Sequence, residues 1–357
     1  MPKVSVVMSV YNGELYVKEA IKSILQQTFD DFEFVIIEDG STDSTLSILK
    51  AYAQQDPRIV LVCNEKNLGL QRSLNKGLSV SCGEYIARLD ADDVSLGDRL
   101  QLQVAFLDAH PEIGLLGSAV EIIDEQKNSV VKNYVPLDHE SIQATLLINN
   151  YFHHSSMMFR RNLVEQLGGY DETKRYVEDY DLWWRFSRVT QLANLPDVLI
   201  QRRFRGTSIT WAHRLDMLRA SWEISIQAIQ EYLQDVSLDA VSYKRFWWTY
   251  YSQREPLQVE AQFCKEDIKR LESFWKLLEN HPAGALVWGP RLRTMAHNLL
   301  RQQKTAEGLE LLWIVSYRLA TPILWRSALK SLLKPYIPAE TLQTWKNWQL
   351  KQTGKGA

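Results

Sequence analysis

Val4 to Val10 is an unbroken β-rich run, VSVVMSV, closed by the turn residues Asn12-Gly13. From Glu14 to Gln27 the apolar positions switch to near-helical spacing, with Leu15, Ala20, Ile21, Ile24 and Leu25. The alternation then repeats. Phe32–Ile37 reads as a second strand, ended by Glu38-Asp39-Gly40, and Ser41 or Asp43 can cap a helix over Ser44–Gln54. Ile59–Cys63, Leu70–Val80 and Tyr85–Leu89 follow as strand, helix and strand. Strands alternating with helices predict parallel pairing in a layered α/β sheet.

After Asp93 the pattern loosens. It predicts a helix over Arg99–Ala109, a strand over Leu115–Ile123, and further strand or loop to Pro136. Beyond these come a helix over Ile142–Leu147, a strand over Ser155–Phe159, a helix over Tyr180–Thr190 and a late strand over Asp197–Ile200. From about Leu215 strand signals nearly vanish, and nine of the twelve tryptophans fall in long helical patterns. The break predicts two domains, residues 1–214 and 215–357, in keeping with a length of 357 residues that exceeds the usual single core.

Composition adds little to this picture, but charge adds something. At 45% hydrophobic and 24% charged, the chain is of ordinary globular type. A net charge of -2 argues against nucleic-acid binding, yet from Leu286 onward eleven basic residues face three acidic ones. There Leu311, Leu312, Ile314, Val315 and Leu319 interleave with Arg318, Arg326, Lys330 and Lys334. Such a basic amphipathic region suits an anionic inner membrane face; packing into a helical core or a homodimer interface is the plainer alternative. The three scattered cysteines fit neither a disulfide framework nor a zinc site, which predicts a reducing cytosol. No signal-peptide pattern opens the sequence, and no apolar stretch reaches the ~20 residues of a membrane span. The expected location is cytoplasmic, with peripheral contact at the membrane's inner face.

Candidate chemistry gathers at strand ends. Asp90-Ala91-Asp92-Asp93 closes the run Tyr85–Leu89, at the edge where open α/β sheets collect ligands. Carboxylates there can hold Mg2+ or Mn2+ together with a diphosphate, although an acidic turn would look the same. Asp39, beside a Gly-Ser-Thr-Asp turn, can accept a hydrogen bond from a base N–H or serve a helix-capping turn.

Six motifs, taken in order, carry a more specific signal. VSVVMSVYN (Val4–Asn12), EDGSTD (Glu38–Asp43), Asn67-Leu68-Gly69, GEYIARLDADD (Gly83–Asp93), HSSMMFR (His154–Arg160) and EDYDLWWR (Glu178–Arg185) together resemble the family 2 glycosyltransferases of GT-A fold, over about residues 3–210. The resemblance implies a Rossmann-like, mixed but mostly parallel sheet flanked by helices; the helical C-terminal region falls outside it. It also implies a nucleotide-diphosphate sugar donor, a UDP-sugar foremost, with Mn2+ or Mg2+ and inversion at the anomeric carbon. The transferred hexosyl or N-acetylhexosaminyl group would go to a glycan or lipid-linked glycan acceptor of cell-surface polysaccharide.

Carried onto this sequence, the family's donor site takes in Val10, Tyr11, Asn12, Glu14, Asp39, Asp90, Ala91, Asp92 and His154. Asp39 would read the base with Tyr11 packed near it, although Tyr11 alone suits a core position. Asp92 would bind the metal, Asp90 the ribose or a metal-bound water, and Asp93 would orient the loop or cap a helix. An inverting transfer needs a carboxylate to take the acceptor hydroxyl's proton; Asp179 matches that base, with Glu178 as its substitute and Asp181 free to cap the helix. Trp183 and Trp184 can form a sugar-stacking platform, one of the two being core. Where relatives carry a histidine near the metal or diphosphate, this chain has Arg205, whose fork suits phosphate oxygens but cannot ligate a metal. The competing readings are a binding module that lost turnover and a nucleotidyltransferase; the latter would want a glycine-rich phosphate loop, which Val10–Glu14 is not.

Overall fold

The computed structural model describes residues 1–204, 213–233, 238–252, 264–281, 283–301, 307, 308 and 311. The chain divides into two compact units, Met1–Gln234 and Asp235–Ala357. The division falls after Gln234 rather than at Arg214, because the helix Arg214–Leu233 is tied to the first unit. Its Ser225 hydroxyl donates to the Leu147 carbonyl at 2.8 Å, and its Glu231 accepts from Trp184 Nε1 at 2.7 Å.

The first unit runs β1 (Val4–Val10), α1 (Val17–Leu25), β2 (Phe32–Glu38), α2 (Thr45–Gln55), β3 (Ile59–Cys63), α3 (Leu70–Val80), β4 (Tyr85–Arg88), β5 (Val94–Ser95) and α4 (Arg99–Ala109). Then come β6 (Ile113–Ile123), β7 (Ser129–Asn133), α5 (His139–Leu146), β8 (Met158–Arg160), α6 (Arg161–Gln166), α7 (Glu178–Ser187), β9 (Gln191–Arg203) and α8 (Arg214–Leu233). Among the described residues one mixed sheet has the order β3-β2-β1-β4-β8-β6-β9-β5, with β7 on β6. The β3, β2, β1 and β4 strands are mutually parallel, and β6 and β9 are parallel to each other. The short β8, antiparallel to both neighbours, joins the two groups.

β1 and β2 are buried on both faces, which explains why they read as continuous apolar runs rather than alternating ones. Burying each Val, Ile or Phe there contributes about 1.5–3 kcal/mol. The chain passes from β1 through β2 to β3 on one side and returns to β4 on β1's other side. Strand order therefore reverses between β1 and β4, and the crevice at their carboxyl ends is where such a sheet binds ligands.

Two expected elements shift. Ser155 lies in a 3-10 turn, His154–Ser156, ahead of β8 instead of inside a strand. The helix expected from Tyr180 begins at Glu178, so the acidic pair forms its first turn, where the helix dipole favours negative charge.

The second unit holds α9 (Ala240–Ser252), α10 (Lys265–Arg270), α11 (Glu272–Asn280) and α12 (Gly284–Arg301). Trp247, Trp275 and Trp288 are fully buried there, with Trp275 Nε1 donating to the Ile268 carbonyl at 2.8 Å. No helix among the described residues is long and apolar enough to cross a membrane.

Candidate functional site

Three loops meet at the carboxyl ends of β1, β2 and β4. Asn12, whose φ of 50° suits asparagine better than most residues, accepts at Oδ1 from the Thr42 amide at 2.9 Å. The Gly13 amide donates to Thr45 Oγ1 at 2.8 Å, and Glu14 accepts from the Ser44 amide at 2.9 Å. The loop after β1 is thus laced to the loop after β2, and Tyr11 is left 49% exposed between them rather than in the core. Asp39 is buried. It accepts from Asn64 Nδ2 and the Leu68 amide at 2.8 Å and from the Gly69 amide at 3.0 Å, holding the 64–69 turn against the end of β2. Gly40 permits this closeness: its φ is +72°, and a Cβ there would lie 2.5 Å from the Lys66 carbonyl carbon.

Beyond β4 the acidic motif splits by environment. Arg88, 1% accessible, donates through Nη2 to Asp90 Oδ1 at 2.5 Å, while the Asp90 side chain keeps 38% of its surface. Burial opposes ionisation of Asp90, but the charge and hydrogen bond of Arg88, together with further neighbours that include the Ser155 hydroxyl, outweigh it and lower the carboxyl to about 2. Asp93 is buried, and its pKa is raised by burial first and by Asp90 and Asp92 next. Ser155 Oγ lies 3.0 Å from Asp90 Oδ2 and 2.5 Å from Asp93 Oδ2. One hydroxyl proton serves one acceptor, so a protonated Asp93 donating to Ser155, which donates to Asp90, satisfies all three groups. Asp93 also accepts from the Arg203 amide at 2.9 Å. It orients the loop; Asp92, partly exposed, follows from that placement.

The second acidic pair opens α7. Glu178 is 6% exposed and accepts from Gln71 Nε2 at 3.1 Å. Asp179 is less buried and accepts from Asn150 Nδ2 at 2.9 Å. Burial raises both carboxyls; Asp179 also raises Glu178, and Asp90 raises both. The strand-end and helix-start carboxylates therefore share one electrostatic site. Between them His154 Nε2 and the Tyr170 hydroxyl share a hydrogen bond at 2.7 Å, and burial lowers the imidazole to about 3, so the ring is neutral.

The sequence profile described as Glycosyl transferase family 2 matches residues 5–168. An uncharacterized glycosyltransferase of Haemophilus influenzae is 34% identical over 247 residues, 67% of this chain and 76% of that protein. The chain belongs to glycosyl transferase family 2. Amylovoran biosynthesis glycosyltransferase AmsE of Erwinia amylovora is 36% identical over 203 residues, 56% of this chain and 75% of that protein. In fold, the glycosyltransferase resembles the crystal structure of S. aureus TarS 1-349 in complex with UDP-GlcNAc, at TM-score 0.55 and 19% identity, covering 88% of this chain and 91% of that one.

Within this glycosyltransferase, Val10, Tyr11, Asn12, Glu14 and Asp39 occupy the adjoining ends of β1 and β2, and Asp90, Ala91 and Asp92 the end of β4. Arg205 lies outside the described residues, as do residues 312–357 of the basic tail. Two expectations need correction. Trp183 and Trp184 are 0% and 2% exposed: Trp183 packs among Phe152, His154, Phe159 and Phe186, and Trp184 points its N–H at Glu231. Neither presents a ring face to a sugar, because α7 turns this side into the core. Asp181 caps nothing; its carboxylate pairs with Arg185 at 2.7 Å.

No three His, Cys, Asp or Glu side chains converge as a metal cage among the described residues. The donor set nonetheless fits a hard cation: Asp90 is held ionised with surface to spare, beside the partly exposed Asp92. Mg2+-like ions take one or two carboxylates and fill their shell with phosphate oxygens and water. A cavity of about 520 Å3 lies elsewhere, lined by Lys18, Glu19, Lys22, Val94 and Lys127 among others. The sequence reading missed Ser155, Asn150 and Gln71, whose roles arise from long-range contacts, and Arg88, which pairs with Asp90 two residues on. Only Arg88 left a local trace, a charge inside an apolar parallel strand.

Proposed function

We propose that this glycosyltransferase is metal-dependent and inverting, moving a sugar from a nucleotide-diphosphate donor, a UDP-sugar foremost, to a hydroxyl of a glycan or lipid-linked glycan. The observation that carries the reading is the meeting of two acidic groups with different tasks, Asp90-Ala91-Asp92 at the end of β4 and Glu178-Asp179 at the start of α7, coupled through the charge of Asp90. Asp92, with Asp90 beside it, would hold Mn2+ or Mg2+. When bound, that cation supplies neutralisation of the diphosphate's charge. Asp39 keeps one acceptor position on Oδ2 for a base N–H, and Tyr11 offers an exposed ring beside it. Asp179 takes the acceptor hydroxyl's proton; it is less buried than Glu178, and Asn150 holds one of its oxygens. His154, neutral and hydrogen-bonded to Tyr170, lines the site without a charge. The UDP-sugar assignment draws support from the UDP-GlcNAc complex of the TarS fold, and the polysaccharide acceptor from AmsE. Such an acceptor suits an enzyme working in the cytoplasm against the inner membrane face, where the basic tail would attract acidic lipids.

The test is incubation with Mn2+ and a panel of UDP-, GDP- and dTDP-sugars, following release of nucleoside diphosphate. Release from one donor, abolished by EDTA, is the expected result. Pyrophosphate as the product would instead indicate nucleotidyl transfer, and binding without turnover a donor-binding module.

A further inference from the structure

Arg203, the last residue of β9, is a buried arginine that the family motif left without a task. Its side chain is 1% accessible, yet every arm of its fork is engaged. Nε donates to the Asp92 carbonyl at 3.1 Å, Nη1 to the Asp124 and Glu125 carbonyls at 3.3 Å, and Nη2 to Glu19 Oε2 at 2.8 Å. The guanidinium lies 4.7 Å from the Tyr16 ring centre. Its own amide donates to Asp93 Oδ1, so one residue grips two consecutive members of the acidic loop. The Glu19 oxygen not used by Arg203 is gripped by Lys127 in the β6–β7 turn, at a left-handed φ of 70°. Arg203 thereby ties together α1, the β6–β7 turn and the loop after β4.

The contact with Asp92 runs to its carbonyl and leaves the carboxylate out of the fork. A buried charge with five donors suits this role because a guanidinium is planar and meets several acceptors at fixed angles, which a lysine ammonium cannot do. Partners that orient a metal ligand commonly change metal affinity by about 10- to 100-fold when removed.

We propose that Arg203, held by Glu19, is the positioning residue that presents Asp92 to the cation and diphosphate; this rests on the donor-site reading above. Arg203→Lys and Glu19→Gln test it, with Mn2+ binding followed by electron paramagnetic resonance at saturating UDP. UDP binding without metal, amide exchange over residues 91–95 and thermal melting are measured alongside. Arg203→Lys should weaken Mn2+ by ~10-fold or more, speed exchange at Asp92 and Asp93, and leave metal-free UDP affinity unchanged. Glu19→Gln keeps an acceptor but drops the charge, so it should shift the same readouts in the same direction by a smaller factor, and it serves if Arg203→Lys does not fold. A folded Arg203→Lys that loses only thermal stability and binds Mn2+ like the wild type would overturn the positioning role alone. A wild type that binds no Mn2+ with UDP would overturn both this proposal and the donor-site reading.

Discussion

Replacing Asp179 by Asn changes one oxygen to an amide and removes a base while keeping the shape of the site. Asn150 Nδ2 and the Tyr180 amide donate to the two Asp179 oxygens at 2.9 and 2.7 Å, so the variant's single carbonyl oxygen keeps one of these bonds and gives up the other, a local loss that should leave the loop and the donor pocket standing. A positioned general base contributes roughly 100- to 10,000-fold, or about 2.7 to 5.5 kcal/mol of barrier. Transfer should therefore fall by ~100-fold or more, with UDP affinity unchanged. The pH profile gives a second check. Burial first, and the charge of Asp90 among the other causes, raise the Asp179 carboxyl, so the acid limb of the wild-type rate should lie above the ordinary aspartate range and disappear in the variant. Stability follows the opposite sign: a carboxyl whose folded pKa is raised contributes most below its unfolded value, about 3.9, and loses that contribution as pH rises through the folded value. Asp179→Asn should consequently melt no lower than wild type at pH 7, with any advantage shrinking toward pH 4. Nucleoside-diphosphate release, isothermal titration with UDP and melting across pH cover the three readouts. A mild Asp179→Asn beside a fatal Glu178→Gln would exchange the two roles, and a variant that lost UDP affinity equally would refute the assignment to the acceptor side.

Asp92→Asn should abolish Mn2+-dependent turnover and keep the melting temperature within a few degrees; wild-type activity at saturating Mn2+ would move the metal away from it. Trp183→Ala should lower stability by about 3–5 kcal/mol, read by denaturant unfolding; a change confined to acceptor KM would restore the stacking platform. Gly40→Ala combines a left-handed φ with a contact at 2.5 Å, so it should cost about 1–3 kcal/mol and weaken UDP binding through the loop that Asp39 holds. Unchanged melting and unchanged UDP affinity would show that the 64–69 turn gives way easily.

Much of the first half was legible residue by residue. The β-rich runs at Val4–Val10 and Phe32–Ile37 read as strands from their β-branched and aromatic residues and their turn-residue ends, and Leu70–Val80 and Arg99–Ala109 agree with their helices at both ends. Strand ends carrying Asp39 and Asp90–Asp93 were readable for the same reason: a short segment's periodicity and its turn residues are local properties. Which of those carboxylates is charged, paired or neutral was not local. Ser155 joins Asp90 and Asp93 across 65 and 62 residues, and Arg203 reaches Glu19 across 184. Trp183 and Trp184 likewise look like a platform in sequence and become core only when α7 lies down with that side inward. Local pattern and propensity are set by neighbours along the chain, so the sequence by itself determined the elements and the edge where chemistry gathers. Charge state and exposure depend on the dielectric and on partners that sheet order supplies, and only tertiary structure, by setting β8 and its 3-10 turn beside β4 and running β9 back toward α1, decided them.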